Sequence, residues 1–435
     1  MDMIRTRVKD KRLIELLEKI GRAADLEGAR AYIVGGLVRD ILLWGQIPFF
    51  KRKMVSVPNF DLDIVIEGDA IKLGKLLSEG LGGKLTVHTR FGTCTLAASE
   101  GLKIDLTTAR IEEYEAPASL PTVKFSTLKE DLFRRDFTIN AMAISLCKDD
   151  FGRLVDFFGG EDDLRRGRVR VLHDKSFIDD PTRILRAVRF ERRLGFAIDA
   201  HTERLILDAV RKNMLTAVEP QRVRDELILI LKERSPLEVI RRMEDLHELK
   251  FIHPKLRLNK DIIKLCWNLA RACDWYQRSA SRNPEIEKWL AYLMALTDHL
   301  RFRDVAAMEN KFAFRKSERV KMLSYKRHGA KALKLLNKST IAPSAVYDIL
   351  SCLPREAAIL LLARAPSKAV ISRIKAYLEN YSALRTRISG HDIKGLGLKP
   401  GPKFKKILAK VLHGKIDGFL KTKEDELEYV KRLIK

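Results

Sequence analysis

Apolar residues recur along this 435-residue chain with two different periods, and the change of period divides it. Leu13, Leu16, Leu17 and Ile20 sit at helical spacing, so the first thirty residues predict a helix. Between about residue 31 and residue 145, short apolar runs alternate with amphipathic ones. Ile33-Val34 predicts a strand running into Gly35-Gly36. Asp61 to Ile66 predicts a second, with Leu62, Ile64 and Ile66 on one face and Asp61 and Asp63 on the other. Asp69 caps a helix through Leu77 that the glycines near Gly80 to Gly83 end. Leu85 to His88 and Cys94 to Leu96 flank Arg90-Phe91-Gly92 as a hairpin, and Leu102 to Leu106 reads as a further strand. From about residue 165 the helical period dominates, punctuated near Pro220, Pro236, Pro254, Pro366 and Lys399-Pro400-Gly401-Pro402. The fold class is α+β: an N-terminal mixed α/β head, a small sheet plus helices, followed by an all-helical remainder. Gln46 to Asn59, with two prolines and Lys51-Arg52-Lys53, predicts a loop, either a tolerated insertion or a basic contact to RNA.

Charge narrows the partners. Lys and Arg number 83 against 58 Asp and Glu, a net charge of +25, which favours a polyanion, nucleic acid ahead of an anionic membrane. The five cysteines form no CxxC pair, as expected of a reducing compartment. Cys266 and Cys273, two helical turns apart, suit one buried helix face. The charged N-terminus lacks the apolar core of a signal peptide, and the run Ala357 to Ala363 is too short to span a bilayer, so the expectation is a cytoplasmic protein with no membrane partner.

Three stretches carry chemistry. In the first, Gly35-Gly36 lets backbone N–H groups approach a phosphate and Arg39 adds a charge-assisted donor. Asp61 and Asp63 then form a carboxylate pair of the kind that holds Mg²⁺; a tight turn plus an unrelated acidic strand end reads equally well. Asp105, opposite Ile104 and Leu106 in its strand, becomes a third carboxylate if that strand pairs beside Asp61 and Asp63. Such a set equips two-metal phosphoryl transfer. In the second stretch, Arg134-Arg135-Asp136 precedes Asn140 by one helical turn, suiting phosphate contacts ordered by hydrogen bonds, or a solvated helix start. In the third, Asp180-Pro181 starts a helix whose Ile184, Leu185 and Val188 form the buried stripe and whose Arg183, Arg186 and Arg189 form a basic ridge. Asp180 and Arg183, at i and i+3, can accept from the exocyclic amine of cytosine or adenine and donate to the adjacent ring nitrogen; a helix cap with a salt bridge is the plainer alternative.

In this order the pieces resemble the class II tRNA nucleotidyltransferases, the CCA-adding enzymes, which share a superfamily with bacterial poly(A) polymerases. The resemblance rests on Gly35-Gly36-Leu37-Val38-Arg39-Asp40, Asp61-Leu62-Asp63, Arg134 to Ala143, Asp156-Phe157-Phe158-Gly159-Gly160 with Asp163-Leu164, Asp179 to Phe190, and Pro220 to Leu227. It is dense over residues 30–240 and weaker over Ser389 to Pro402. It implies a nucleotidyltransferase catalytic head (1–145), a neck that recognises the nucleotide base (146–235), a helical body (236–335) and a helical tail that binds tRNA (336–435). By position, Asp61 and Asp63 would bind catalytic Mg²⁺, with Asp105 beside them. Gly35, Gly36, Arg39 and Arg135 would hold the nucleotide, Arg186 and Arg189 would line its pocket, and Asp180 and Arg183 would read CTP or ATP. The chain departs from the pattern in its long segment between Gly36 and Asp61, in Asp179 where the family has Glu, and in Gln221 where the neck motif has Glu. The full-length segment from Ala109 to Pro121 disfavours CC-only addition.

The expectation is therefore Mg²⁺-dependent addition of CCA, from CTP and ATP, to the tRNA 3′ end without a nucleic-acid template. The alternatives are A-only addition after a separate CC-adding enzyme, poly(A) synthesis, and a non-catalytic RNA-binding protein on the same scaffold.

Overall fold

The computed structural model describes residues 2–44, 60–98, 102–113, 122–279 and 284–434, without the side chains of Trp44, Phe60, Asp61 and Glu113. The Gln46–Asn59 and Tyr114–Pro121 segments therefore lie outside the described residues. The chain divides into two compact units, Met1–Glu226 and Leu227–Lys435.

The first unit is built on one mixed sheet of seven strands. In chain order the strands of the head are β1 (Arg30–Val34), β2 (Phe60–Glu67), β3 (Lys84–His88), β4 (Thr93–Ala97), β5 (Leu102–Thr108), β6 (Arg110–Glu113), β7 (Thr122–Phe125), β8 (Met142–Ser145) and β9 (Leu154–Asp156). The sheet runs β3-β4-β5-β2-β1-β8-β9, while β6 and β7 pair separately. Only β2 and β5 are parallel within the sheet, with Asp63 opposite Asp105 and Leu62 opposite Ile104. Period-two alternation explains the split of faces. Leu62, Ile64, Ile66, Ile104 and Leu106 are buried, whereas Asp63 is exposed and Asp105 half-exposed.

The helix Ala70–Leu81, capped by Asp69 on the amides of Ile71 and Lys72, covers the buried face beside β4 and β5. It passes so close that a Cβ on Gly74 would fall 2.3 Å from Cys94 Sγ. Beside it, the helix Lys11–Leu26 passes Leu146, and a Cβ on Gly21 would meet its carbonyl oxygen at 1.8 Å. The opposite sheet face is closed by Leu128 and Leu132 of the helix Leu128–Phe133, packed on Tyr32, Val34, Val65 and Ala143.

Two expectations change here. The sheet is larger than sequence periodicity suggested and continues past residue 145, because β9 pairs with β8 as far as Asp156. Nor is the stretch after 146 purely helical: Arg168–Val169 and Ala197–Ile198 form a short parallel pair. Such brief strands carry too few residues for a period to register.

The second unit is helical throughout its described residues. The helix Arg355–Ala363 is buried on every side, which explains its unbroken apolar run. Ile388, Ile393, Val411, Leu420 and Val430 form a separate core near the C-terminus, where Ser389 caps Gly390–Gly395. Cys266 and Cys273 are both buried on one helix. Among the described residues, no helix is long and apolar enough to cross a membrane.

The close approaches make a prediction. Gly21→Ala drives a methyl group into a fixed backbone carbonyl and should cost about 1–3 kcal/mol. Gly80→Ala, in a helix with nothing within 4 Å of the added carbon, should be neutral or stabilise by up to about 1 kcal/mol. Urea denaturation of the two variants measures the contrast.

Candidate active site

β1 ends at Gly35, whose φ of +74° only glycine adopts without strain. A Cβ there would also sit 3.0 Å from Arg135 Nη1, so the turn leaves room for a guanidinium against the backbone. The helix Gly36–Trp44 starts at once, with Arg39 N donating to the Gly35 carbonyl at 3.3 Å. Its first amides have no partner within the helix, which suits an anion. Arg39 is buried: its Nη1 donates to Asn140 Oδ1 at 2.7 Å, and its Nε and Nη2 donate to Asp40 Oδ1 at 2.9 and 2.7 Å.

Gly35, Gly36 and Arg39 open onto a cavity of about 670 Å³ that also receives Asp63, Arg135, Asp180, Arg183, Arg186 and Arg189. Nine of the residues singled out from sequence thus converge on one space. Asp105 stands one strand further on, level with Asp63, and accepts from Thr95 Oγ1 at 2.5 Å and from Lys103 Nζ. Asp61 belongs to β2 opposite Lys103, and its carboxylate lies outside the described residues. Asp63 and Asp105 offer hard oxygen donors from adjacent strands, the donor type that suits Mg²⁺. No group of three ligating side chains is assembled among the described residues.

The helix Thr182–Leu194 supplies the far wall. Its arginines face the cavity and are largely withdrawn from solvent, Arg183 being 5% exposed and Arg189 6%. Arg186 donates through Nε and Nη2 to Asp136 Oδ2 at 3.0 and 2.6 Å, and through Nη1 to Glu226 Oε1 at 3.0 Å. Arg189 lies 3.3 Å from the other oxygen of Glu226. Asp136 also accepts from Asn140 Nδ2 at 3.0 Å and from the Phe137 amide at 2.8 Å. The solvated helix start considered for this stretch is therefore replaced by a buried relay that runs Asp40, Arg39, Asn140, Asp136, Arg186, Glu226, Arg189. Phe190 sits at its centre, with the guanidinium carbons of Arg39, Arg186 and Arg189 at 5.2, 5.6 and 5.3 Å from its ring centroid.

Electrostatics follow the contacts. Burial pushes the Asp136 carboxyl up, but Arg186 and the Asn140 hydrogen bond outweigh it and hold the group below the usual carboxylate range. Burial likewise opposes ionisation of Asp131, yet Arg135 and Arg134 bring it below that range. Asp131 takes Arg134 at 2.7 Å and Arg135 at 3.1 Å, fixing both arginines.

Asp180 and Arg183 share the cavity without bonding as a side-chain pair. The helix starts one residue later than expected, with Pro181 rather than Asp180 at its N-cap; Asp180 accepts from the Thr182 amide at 3.1 Å and hydroxyl at 2.6 Å and binds Arg222 at 2.9 Å. Arg183 donates to Ser176 Oγ at 2.8 Å and to the Arg134 carbonyl at 2.5 Å. Phe190, Arg222, Glu226 and Glu112 also take structural parts in the site, beyond those expected from the sequence. Arg222 and Glu226 had a signal, lying four residues apart on the helix Pro220–Lys232. Glu112 had none: β6 brings it to Arg134 at 2.8 Å.

Fold and site define a class: a mixed sheet with carboxylates on adjacent strands, a glycine turn at a helix start, and a cation-rich cavity, as in a nucleotidyltransferase. Residues 31–170 match the family model described as the poly A polymerase head domain. Residues 195–258 match the one described as a probable RNA and SrmB- binding site of polymerase A. The A-adding tRNA nucleotidyltransferase of Halalkalibacterium halodurans is 32% identical over 96% of this chain and 92% of its own length. That of Geobacter sulfurreducens is 35% identical over 97% of this chain, which spans 47% of the Geobacter protein. The Thermotoga maritima CCA-adding enzyme complexed with tRNA_CCA superposes with a TM-score of 0.74, 33% identity, and coverage of 100% of this chain and 98% of that one. The chain belongs to the family of class II tRNA nucleotidyltransferases and bacterial poly(A) polymerases.

The relay predicts a pH signature. Asp136→Asn leaves Arg186 facing a neutral amide and should cost about 3 kcal/mol at pH 7, as breaking a buried pair does. The Asp136 pKa is depressed on folding, so its stabilisation is complete above the unfolded value of about 4 and fades as pH falls through the folded value. Urea midpoints of wild type and Asp136→Asn should differ by a constant amount from pH 5 to 8 and converge below that window.

Proposed function

We propose that this chain is a Mg²⁺-dependent tRNA nucleotidyltransferase that adds the terminal A to tRNA ending in CC. The observation that carries the A-adding reading is the Halalkalibacterium A-adding enzyme, matched over nearly the whole of both chains. The initial expectation was complete CCA addition. It remains the second reading, favoured by the likeness to the Thermotoga CCA-adding enzyme along the full chain.

In this proposal the tRNA 3′ hydroxyl oxygen attacks the α-phosphorus of ATP. A P–O bond forms, the α–β phosphoanhydride bond breaks, pyrophosphate leaves, and the hydroxyl proton passes to solvent. Asp61 and Asp63 are the residues assigned to Mg²⁺, with Asp105 beside them. Mg²⁺, when bound, lowers the pKa of the attacking hydroxyl and neutralises the departing phosphates. The Gly35-Gly36 turn, Arg39 and Arg135 are assigned to the triphosphate. Arg39 is suited to that task because Asp40 and Asn140 already hold its fork, so little rotamer entropy remains to be lost on binding. Arg186 and Arg189 line the pocket. Asp180 and Arg183 are assigned to the base, each braced by its own partner rather than by the other. The four-part division into head, neck, body and tail (1–145, 146–235, 236–335, 336–435) belongs to this proposal too, as do the tRNA partner and a separate CC-adding enzyme upstream.

The test supplies purified protein with ATP and CTP and tRNA transcripts lacking CCA, ending in C, or ending in CC. One A on the CC-ended transcript and no C on the others is the expected result. Incorporation of CTP overturns A-only addition in favour of CCA, and long A tails on unstructured RNA indicate a poly(A) polymerase. Asp63→Ala should lower incorporation at least about 10³-fold while ATP binding, measured by calorimetry, persists. Incorporation that survives the change would remove Asp63 from the chemistry.

A further inference from the structure

The helix Lys260–Ser279, in the second unit, buries Ile262, Leu265, Cys266, Leu269, Ala272, Cys273 and Tyr276. On its other side Lys264, Trp267, Arg271, Trp275 and Arg278 follow one another at spacings of three or four, so they form one stripe. Lys264, Arg271 and Arg278 are exposed, and Trp267 is 55% exposed, with no core of its own to enter. By helix rise the stripe is about 21 Å long.

The stripe borders a groove of about 460 Å³ that contains Arg271, Trp275, Arg278 and, from the helix Lys368–Glu379, Lys375. Three cations there face one acid, Asp274. Lys375 Nζ lies 4.5 Å from the Trp275 ring centroid, so a cation–π contact holds the lysine at the groove. Arg278 Nε is spent on the Asp274 backbone carbonyl at 3.3 Å. Among the described residues, the side chains of Lys264 and Arg271 have no hydrogen-bond or ion-pair partner. The stripe thus offers an open indole flanked by unneutralised cations.

We infer that this face is a docking surface for unpaired RNA, with a base stacked on Trp267 and the neighbouring phosphates on Lys264 and Arg271. The charge selects a polyanion, and an indole face stacks on any base that is not already paired. A duplex hides its base faces, so the stripe favours single strands over helices. A protein partner would meet the same net positive charge with far less to neutralise it. The inference stands apart from the transfer chemistry, which uses the other unit.

The test uses the full chain with a twelve-residue oligouridylate and a blunt RNA hairpin. Oligouridylate should quench tryptophan emission. Trp267→Ala should abolish most of that quenching and weaken binding about tenfold, in the range of one lost stacking contact. Trp267→Phe should keep the affinity. Arg271→Glu should lower the salt slope of binding by at least about one counterion. ATP affinity, expected to be unchanged in all three variants, serves as the control for folding. Wild-type oligouridylate affinity in Trp267→Ala and Arg271→Glu overturns the inference, as does equal, Trp267-dependent binding of the hairpin. A Trp267→Ala variant that alters sedimentation of the full chain while binding RNA normally makes the face a protein interface, and the RNA assignment falls.

Discussion

The first unit depends on one buried carboxylate. Asp136 ties Asn140, and through it Arg39 at the glycine turn, to Arg186 on the helix that forms the opposite wall. These residues come from three distant parts of the chain, and the sheet alone does not bring them together. Ion pairs of this depth seldom add net stability over an apolar core, because desolvation offsets much of the attraction. What the relay supplies is position. Each guanidinium has its direction set by a partner, and Phe190 sits among three of them as a flat, apolar spacer. A set of like charges would otherwise splay apart when no anion is present. The alternation of carboxylate and guanidinium keeps them convergent.

Under the proposed function, that arrangement resolves a tension between affinity and turnover. Lone arginines would hold a triphosphate strongly but would first have to be ordered, and ordering long side chains costs free energy at the moment of binding. Here the cost is met during folding by Asp131, Asp136 and Glu226. Part of each positive charge is neutralised in advance, which in the proposed reaction moderates the grip on the departing pyrophosphate. The glycine turn adds backbone dipoles that carry no entropy cost at all.

Much of this was legible in the residue pattern. The alternation of β2 and β5 placed Asp63 and Asp105 on one face, and their register makes them neighbours. Asp69, the hairpin around Gly92 and the turn at Gly35 behave as their local chemistry dictates. The misses share a cause. The depth of Arg183 and Arg189 is not written in their spacing; only tertiary partners on other segments make their burial tolerable. Asp136 sits in a bend and Asn140 in the turn of 3-10 helix Thr138–Asn140 that follows it, and no period encodes their burial. Asp180 and Arg183 are near in sequence, which suggested a pair, yet Arg222 and Ser176 compete successfully for them. Proximity along a helix is a weak claim on a side chain when stronger partners converge from elsewhere.

The parallel pairing of β2 with β5 has a consequence for how such a protein can change over time. The chain between these strands makes a helix and a hairpin before it returns, yet the two acidic positions are aligned by ladder hydrogen bonds and not by that excursion. Insertions or losses within the excursion can accumulate without moving one acid relative to the other. A slip of one residue in the ladder would instead turn an acid toward the apolar side. Evolution is therefore free with the length of the connection and confined in the pairing, so divergent relatives should differ most in the traffic between the two strands and least in where they meet.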